Sequence, residues 1–446
     1  MSTPTATLAL FPSLARSSPI PQPTSRSLPI LSGSLLRTSS CFSACISPYL
    51  TAYPLAVSVY SLATSSFRFR IITFFYPGQG KNEWCFPVIE RVKRLREKMR
   101  TCGLDVFIAF KNCRYFSGTD AGKAVVIPLR GDPVLVCSRL ELERARRESW
   151  IRDIRAFSGW RSPLLPGERV FFRQLWELLA DCLDETGARA VGYDSAPAEL
   201  ILRLKRSFRA GYLRLPKLVE EMRMVKSEDE LRLLRKAASL AALAMRRVSE
   251  ILSPGISELE LAAEAEHMMR KAGGEGTSFP TIVASGENSW LPHAKATERR
   301  ISRTDIVIVD LGCYFRGYAS DMTRTFVVGS SPKLEKLVSV VRRAQAFSLR
   351  LVRDGARAKD VDAAARRAAG RKLLPFYLHG TGHGIGMDVH EPPSLSPASR
   401  DILRAGMVVT VEPGLYVRGT GGARWEDMVL VERNGFSLLT ASDLGE

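Results

Sequence analysis

Residues 379–391 read HGTGHGIGMDVHE and hold three of the five histidines of a 446-residue chain. A fourth, His293, lies upstream, and His267 stands apart from them. Four short apolar runs flank this stretch: DIVIVDL at 305–311, TRTFVV at 323–328, MVVTVE at 407–412 and MVLVE at 428–432. Runs of this length read as buried strands. Each carries or adjoins a carboxylate: Asp310, Asp321, Glu412 and Glu426. A carboxylate on a buried strand is costly unless it is paired or bound to a cation.

The four acids fall into two hairpins. A turn centred between Phe315 and Arg316 would set Asp310 opposite Asp321, with Cβ atoms about 4.5–5.5 Å apart. The glycine-rich connection from Gly419 to Gly422 would bring Glu412 to face Glu426. Bare carboxylates at that distance repel, and a divalent cation between them resolves the conflict; a surface Asp beside a helix cap is the other reading of the first pair. His383 adds one nitrogen donor. Four carboxylates and one imidazole form a mostly hard oxygen environment, suited to Mn²⁺, Co²⁺ or Zn²⁺. With some acids bridging, they could hold two ions about 3.5–4 Å apart, lower the pKa of a bridging water and polarise a carbonyl.

Glu412 is the candidate for carrying a proton to a leaving nitrogen. His293, His379 and His390 are not needed as ligands, and their imidazoles could stabilise developing charge on a carbonyl oxygen. Gly380, Gly382, Gly384 and Gly386 would let the backbone pass close to the metals. His267, among Ala, Met and Glu on a helical pattern, reads as a surface or structural residue.

The formal charge is +18, with 45% hydrophobic and 25% charged residues. Residues 1–82 contribute six of those charges and contain no Asp or Glu. The other basic residues are interleaved with acids on helical patterns, which predicts a solvated exterior and no nucleic-acid surface. Residues 1–82 carry no helical periodicity. They fit an organelle transit peptide, a disordered tail or a start codon placed too early. Pro48, Pro54 and many hydroxyl residues interrupt the uncharged run at 38–67, so no membrane span is expected. The scattered cysteines predict reduced thiols and a cytoplasmic chain, or an organelle if the transit reading holds.

Residues 83–214 alternate helical and strand patterns and predict an α/β domain. Helices are expected at 88–101, 171–183 and 197–209, and strands at 105–110, 124–129, 133–138 and 191–194. Residues 112–118 (NCRYFSG) read as a turn. A second domain is expected over 215–446, opening with capping boxes at Ser227/Glu230 and Ser257/Glu260.

The chain resembles the pita-bread metallopeptidases, in their proline-specific branch of Xaa-Pro dipeptidases (prolidases) and Xaa-Pro aminopeptidases. The resemblance spans about residues 84–446. It is carried by MRMVKSEDELRLLRKA at 222–237, FPTIVASGENSWLPHA at 279–294, VDLGCYFRGYASDMTRTF at 309–326, the histidine stretch, GMVVTVEPGLY at 406–416 and GGARWEDMVLV at 421–431. It implies an α/β (α+β) protein: a creatinase-like N-terminal α/β domain that shapes dimer and substrate access, then a pita-bread catalytic domain of two pseudo-symmetric halves. It implies two metal ions on Asp310, Asp321, His383, Glu412 and Glu426, with Asp321 and Glu426 bridging. It further implies substrate contacts for His293, His390, His379 and Arg424, the last a candidate anchor for a free substrate carboxylate. The implied activity is hydrolysis of the bond before proline in a di- or oligopeptide, by a dipeptidase or by an aminopeptidase acting on longer peptides. A non-catalytic pita-bread binding protein is the alternative outside the enzymes. Trp425 departs from the family pattern, where a smaller aliphatic residue is usual, and is expected to change the pocket's shape.

Overall fold

The computed structural model describes residues 57–64, 67–74 and 81–440. They fall into two compact units, 1–78 and 79–446. In the first, strands Val57–Thr64 and Phe67–Phe74 pair antiparallel. The alternation of Phe67, Arg68, Phe69, Arg70 and Ile71 is a period-two strand signal. Most of residues 1–82, and with them the transit, tail and start-codon readings, lie outside the described residues.

The second unit begins with a helix at Lys81–Thr101, longer than the expected 88–101, and the chain turns at Gly103 with φ 63°. A seven-stranded sheet follows. Its order is Val170–Phe171, Asp153–Phe157, Val134–Ser138, Gly122–Pro128, Val106–Ala109, Ala190–Tyr193, Gly211–Arg214. Gly122–Pro128 runs antiparallel to both neighbours, and the other pairings are parallel. Both faces are buried, which explains the unbroken apolar runs. Phe107, Val125, Ile127 and Leu135 pack on the side of helices Lys81–Thr101 and Pro216–Met224. Val106, Ile108, Val126 and Val136 face helices Leu175–Asp184 and Ala198–Ser207. The helix expected from 171 starts at Leu175, because Val170–Phe171 extends the sheet edge. Residues Cys113–Ser117 form a short helix where a turn was expected.

The remainder of this unit repeats one order twice. Helices Glu228–Ile251 and Glu258–Lys271, each opened by its capping box, precede strands Ile282–Ser285, Ile306–Leu311 and Met322–Val327. Helices Pro332–Leu349 and Ala358–Ala369 then precede a five-stranded sheet built around Gly382–Gly384, Val408–Val411 and Asp427–Val431. The halves meet where Thr323 bridges Glu426 and where Thr325 Oγ1 accepts from the Arg424 amide and donates to its carbonyl.

The first hairpin turns one residue later than the sequence suggests. Phe315 pairs with Tyr318, so Arg316 and Gly317 form a two-residue turn, with φ 48° and 78°. Two consecutive positive φ values are the signature of the primed turns that match strand twist, and glycine supplies one of them without strain. The consequence is a register correction: Asp310 pairs with Thr323, and Asp321 lies diagonally across on the same face. The second hairpin has Val411 opposite Asp427, and the same register one step further sets Glu412 opposite Glu426. Its turn is tighter than expected, since Gly421 and Gly422 are already paired with Val417 and Tyr416.

Gly317→Ala should cost roughly 1–2 kcal/mol, the penalty of a left-handed non-glycine residue. Denaturant unfolding checks this, and an unchanged midpoint would show that the turn does not need its glycine.

Candidate active site

The strand ends and hairpins bring the predicted acids into one basin. Asp321, His383 and Glu426 each present a ligand atom, all within 4.8 Å of one another. His383 Nε2 lies 3.3 Å from Glu412 Oε1 and 3.7 Å from Asp321 Oδ2. Glu426 Oε2 accepts from Thr323 Oγ1 at 2.7 Å, and Asp310 Oδ2 accepts from Arg424 Nη2 at 2.6 Å. The remaining oxygens of three acids, Asp310 Oδ1, Asp321 Oδ1 and Glu426 Oε1, are buried without a hydrogen-bond partner. Orphaned carboxylate oxygens are rare in folded proteins because each carries its full desolvation cost. Oxygen donors left over in a basin that also holds an imidazole fit a divalent cation.

The electrostatics show the same strain. Burial, reinforced by Glu426, Asp310 and Glu412, raises the Asp321 carboxyl well above the usual range. Burial together with Glu412 and Asp310 does the same to Glu426. Glu412 goes the other way: burial opposes its ionisation, but the His383 hydrogen bond and the charges of His383, His379 and Arg424 outweigh it and bring it to about 2. His383 is raised, since Glu412 overcomes the effect of burial.

Arg424 is 3% exposed, and each guanidinium nitrogen is engaged. Nε donates to Thr323 Oγ1, Nη1 to Tyr416 Oη and the Pro292 carbonyl, and Nη2 to Asp310. The donors that a substrate carboxylate would need are thus engaged within the protein, one of them on Asp310. His379 is similarly occupied: Nε2 is 2.9 Å from Tyr416 Oη and Nδ1 2.7 Å from the Gly380 carbonyl. Burial lowers its pKa. His293 and His390 are exposed. The His390 ring lies 4.3 Å, centroid to centroid, from that of His383, and burial and His383 lower its pKa. His267 is exposed on its helix, as expected.

Tyr416 was not anticipated. It shares a strand face with Glu412 by period-two alternation, and that signal could have found it. The glycines at 382, 384 and 386 are also required by neighbouring parts of the chain. A Cβ would lie 1.9 Å from the Thr410 carbonyl oxygen at Gly382, 2.2 Å from that of Pro392 at Gly384 and 2.4 Å from Glu391 Oε1 at Gly386. Trp425 does not shape the pocket either. The alternation that turns Arg424 and Glu426 inward turns Trp425 to the opposite face, where Arg324 and Arg342 each place Cζ 4.7 Å from its ring. A cavity of about 330 Å³ opens beside His390, with Lys111, Asn112, Arg223 and Glu391 in its lining.

Paired hairpins that pool buried acids with one imidazole define a metal-dependent hydrolase. Comparison with known proteins narrows the class. Residues 232–433 match metallopeptidase family M24, and residues 91–225 match the creatinase/prolidase N-terminal domain. An Xaa-Pro dipeptidase from Pyrococcus horikoshii is 34% identical over 361 residues, covering 79% of this chain and 97% of that protein. An uncharacterized peptidase of Bacillus subtilis is 44% identical over 226 residues, which is 50% of this chain and 64% of that relative. The structure of an Xaa-Pro dipeptidase from Bacillus anthracis superposes with a TM-score of 0.73 at 31% identity, covering 80% of this chain and 98% of that one. The chain belongs to metallopeptidase family M24. It is a peptidase, and the family works with divalent metal. Among the described residues, no helix is long and apolar enough to cross a membrane.

Raised carboxyls make metal-free protein hold protons that the unfolded chain releases, so this contribution to stability is lost as pH climbs above the ordinary carboxyl range. A bound cation needs the ionised form and reverses the trend. The melting temperature of metal-loaded protein minus that of chelator-treated protein should therefore widen from about pH 5 to pH 8. A constant difference would remove these acids from metal binding.

Proposed function

We propose that this protein hydrolyses the peptide bond preceding proline, as an Xaa-Pro dipeptidase of the prolidase type. One observation carries the chemistry: three acids keep a buried oxygen without a hydrogen-bond partner, and two of them, Asp321 and Glu426, stand with His383 in a group that could hold a metal ion. Proline specificity is supported by relatives of that name aligned over nearly their whole length. In this reading Asp310, Asp321, His383, Glu412 and Glu426 would hold two divalent ions, drawn from Mn²⁺, Co²⁺ or Zn²⁺. Bound there, such ions would supply a nucleophilic water at neutral pH and Lewis-acid help at the scissile carbonyl.

The protein's own groups do the rest. Glu412, whose side chain at 17% exposure is more open than those of Asp310 at 11% and Asp321 at 7%, takes a proton and delivers it to the leaving nitrogen. His390 and His293, both exposed, meet the substrate and its developing oxyanion. His379 and Arg424 act through Tyr416 and Asp310, holding the ligand shell in place. Preference for dipeptides over longer chains rests on the relatives, since Arg424 is not free to bind a carboxylate. The reading extends to an N-terminal domain of about 83–214 and a catalytic domain of 215–446. It also extends to a homodimer that resides in the cytoplasm.

The decisive assay compares a Xaa-Pro dipeptide with a Xaa-Pro-containing longer peptide, with and without Mn²⁺ or Co²⁺. Metal-dependent cleavage of the dipeptide is expected. Preferential cleavage of the longer peptide would mark an aminopeptidase, and cleavage of neither would remove the function. Asp321→Ala should abolish activity together with bound metal. His390→Ala should lower kcat about 10²–10³-fold, as loss of an oxyanion donor does, while metal content stays unchanged.

A further inference from the structure

Glu391 directly follows His390 yet stands outside the carboxylate basin. Its side chain is 5% exposed, and each oxygen takes a different cation. Oε1 accepts from Lys226 Nζ at 2.8 Å, and Oε2 from Arg223 Nη2 at 2.5 Å. The same Arg223 nitrogen lies 3.1 Å from Asp388 Oδ2, so one guanidinium grips the loop on both sides of His390. Arg223 Nη1 reaches Asn112 Oδ1 at 2.8 Å, and Asn112 Nδ2 donates to Asp194 Oδ2 at 2.9 Å. Asp194 in turn accepts from the backbone amides of Phe110, Asn112 and Ser195. Asn112 and Asp194 lie just past strands Val106–Ala109 and Ala190–Tyr193. A continuous polar chain therefore runs from the C-terminal ends of two inner strands of the seven-stranded sheet to the residue beside His390.

His390 itself is exposed, and among the described residues its ring forms no hydrogen bond. It touches the His383 ring, 4.3 Å away between centroids. An imidazole without a hydrogen bond takes its position from its backbone, and here that backbone is fixed at Asp388 and Glu391. Gly386 closes the clamp, since a Cβ at that position would lie 2.4 Å from Glu391 Oε1. Stability alone is a weak explanation for such a cluster, because buried ion pairs gain little over apolar packing of the same volume.

We propose that Glu391, held by Arg223 and Lys226, is a positioning residue for His390, so that the N-terminal sheet sets the geometry of the substrate-facing imidazole. This rests on the reading of His390 as a substrate contact.

The test is a double-mutant cycle on the full-length, metal-loaded enzyme with a Xaa-Pro dipeptide, joining Glu391→Gln with His390→Ala. Displacement of a catalytic group by about an ångström can cost up to about a hundredfold. Glu391→Gln should therefore lower kcat about tenfold to a hundredfold with metal content unchanged, and cost almost nothing further in the His390→Ala background. The proton NMR resonance of the His390 ring should shift in Glu391→Gln at fixed pH, while that of exposed His267 stays put. An equal loss in both backgrounds, or an unmoved His390 resonance, overturns the proposal. A His390→Ala enzyme with unchanged kcat overturns the substrate contact itself, and the positioning role with it. If Glu391→Gln does not fold, Asn112→Ala enters the same cycle one link away, with a smaller loss that must likewise vanish without His390.

Discussion

Four carboxylates, three buried and Glu412 half-buried, gathered about one imidazole are the constraint on which the rest of the structure depends. Asp310, Asp321, Glu412 and Glu426 are repelled by one another and penalised by burial, and the raised carboxyls of Asp321 and Glu426 register that cost. Arg424 and His383 offset part of it, at Asp310 and Glu412 respectively. A chain left to itself would spread such acids apart. What keeps them together is backbone pairing: two hairpins whose ladders extend well beyond the acids, joined by the Thr323–Glu426 bridge and the paired Thr325–Arg424 contacts. The ladders supply stability, and the basin at their junction spends some of it.

That division explains which features were legible in the sequence. The acids stood out because each breaks or borders an apolar run, and strand alternation places Glu412 and Tyr416, or Arg424 and Glu426, on a common face. The sheet of the first half was readable for the same reason, its strands being apolar on both faces. The capping boxes at Ser227 and Ser257 announced their helices, since Ser with Glu three residues on satisfies two end donors at once. The hairpin turn was misplaced by one residue because the composition around Phe315, Arg316 and Gly317 does not say which two residues take positive φ. A slip of one in the turn shifts the partner by two, so Asp310 found Thr323 while every side chain kept its face.

Other features were invisible for a different reason. The Asn112–Asp194 pair, and the reach of Arg223 to Glu391, join residues separated by 82 and 168 positions, and no local pattern encodes such a contact. Trp425 shows the reverse error. Judged by its neighbours in sequence it belongs to the site, but period-two geometry sends it to the far side, between Arg324 and Arg342.

The shell around the basin also explains why Arg424 must be an arginine. Its three nitrogens meet Thr323, Tyr416 with Pro292, and Asp310 in fixed directions, so that both halves of the catalytic domain are referenced to one plane. A lysine would carry the charge but not the fork. Asp310 would keep a cation nearby yet lose the fixed direction that the guanidinium gives its hydrogen bond. Geometry is the scarcer quantity at this site. Glu391 and its cations meet the same need around His390, whose ring, among the described residues, has no hydrogen bond to hold it.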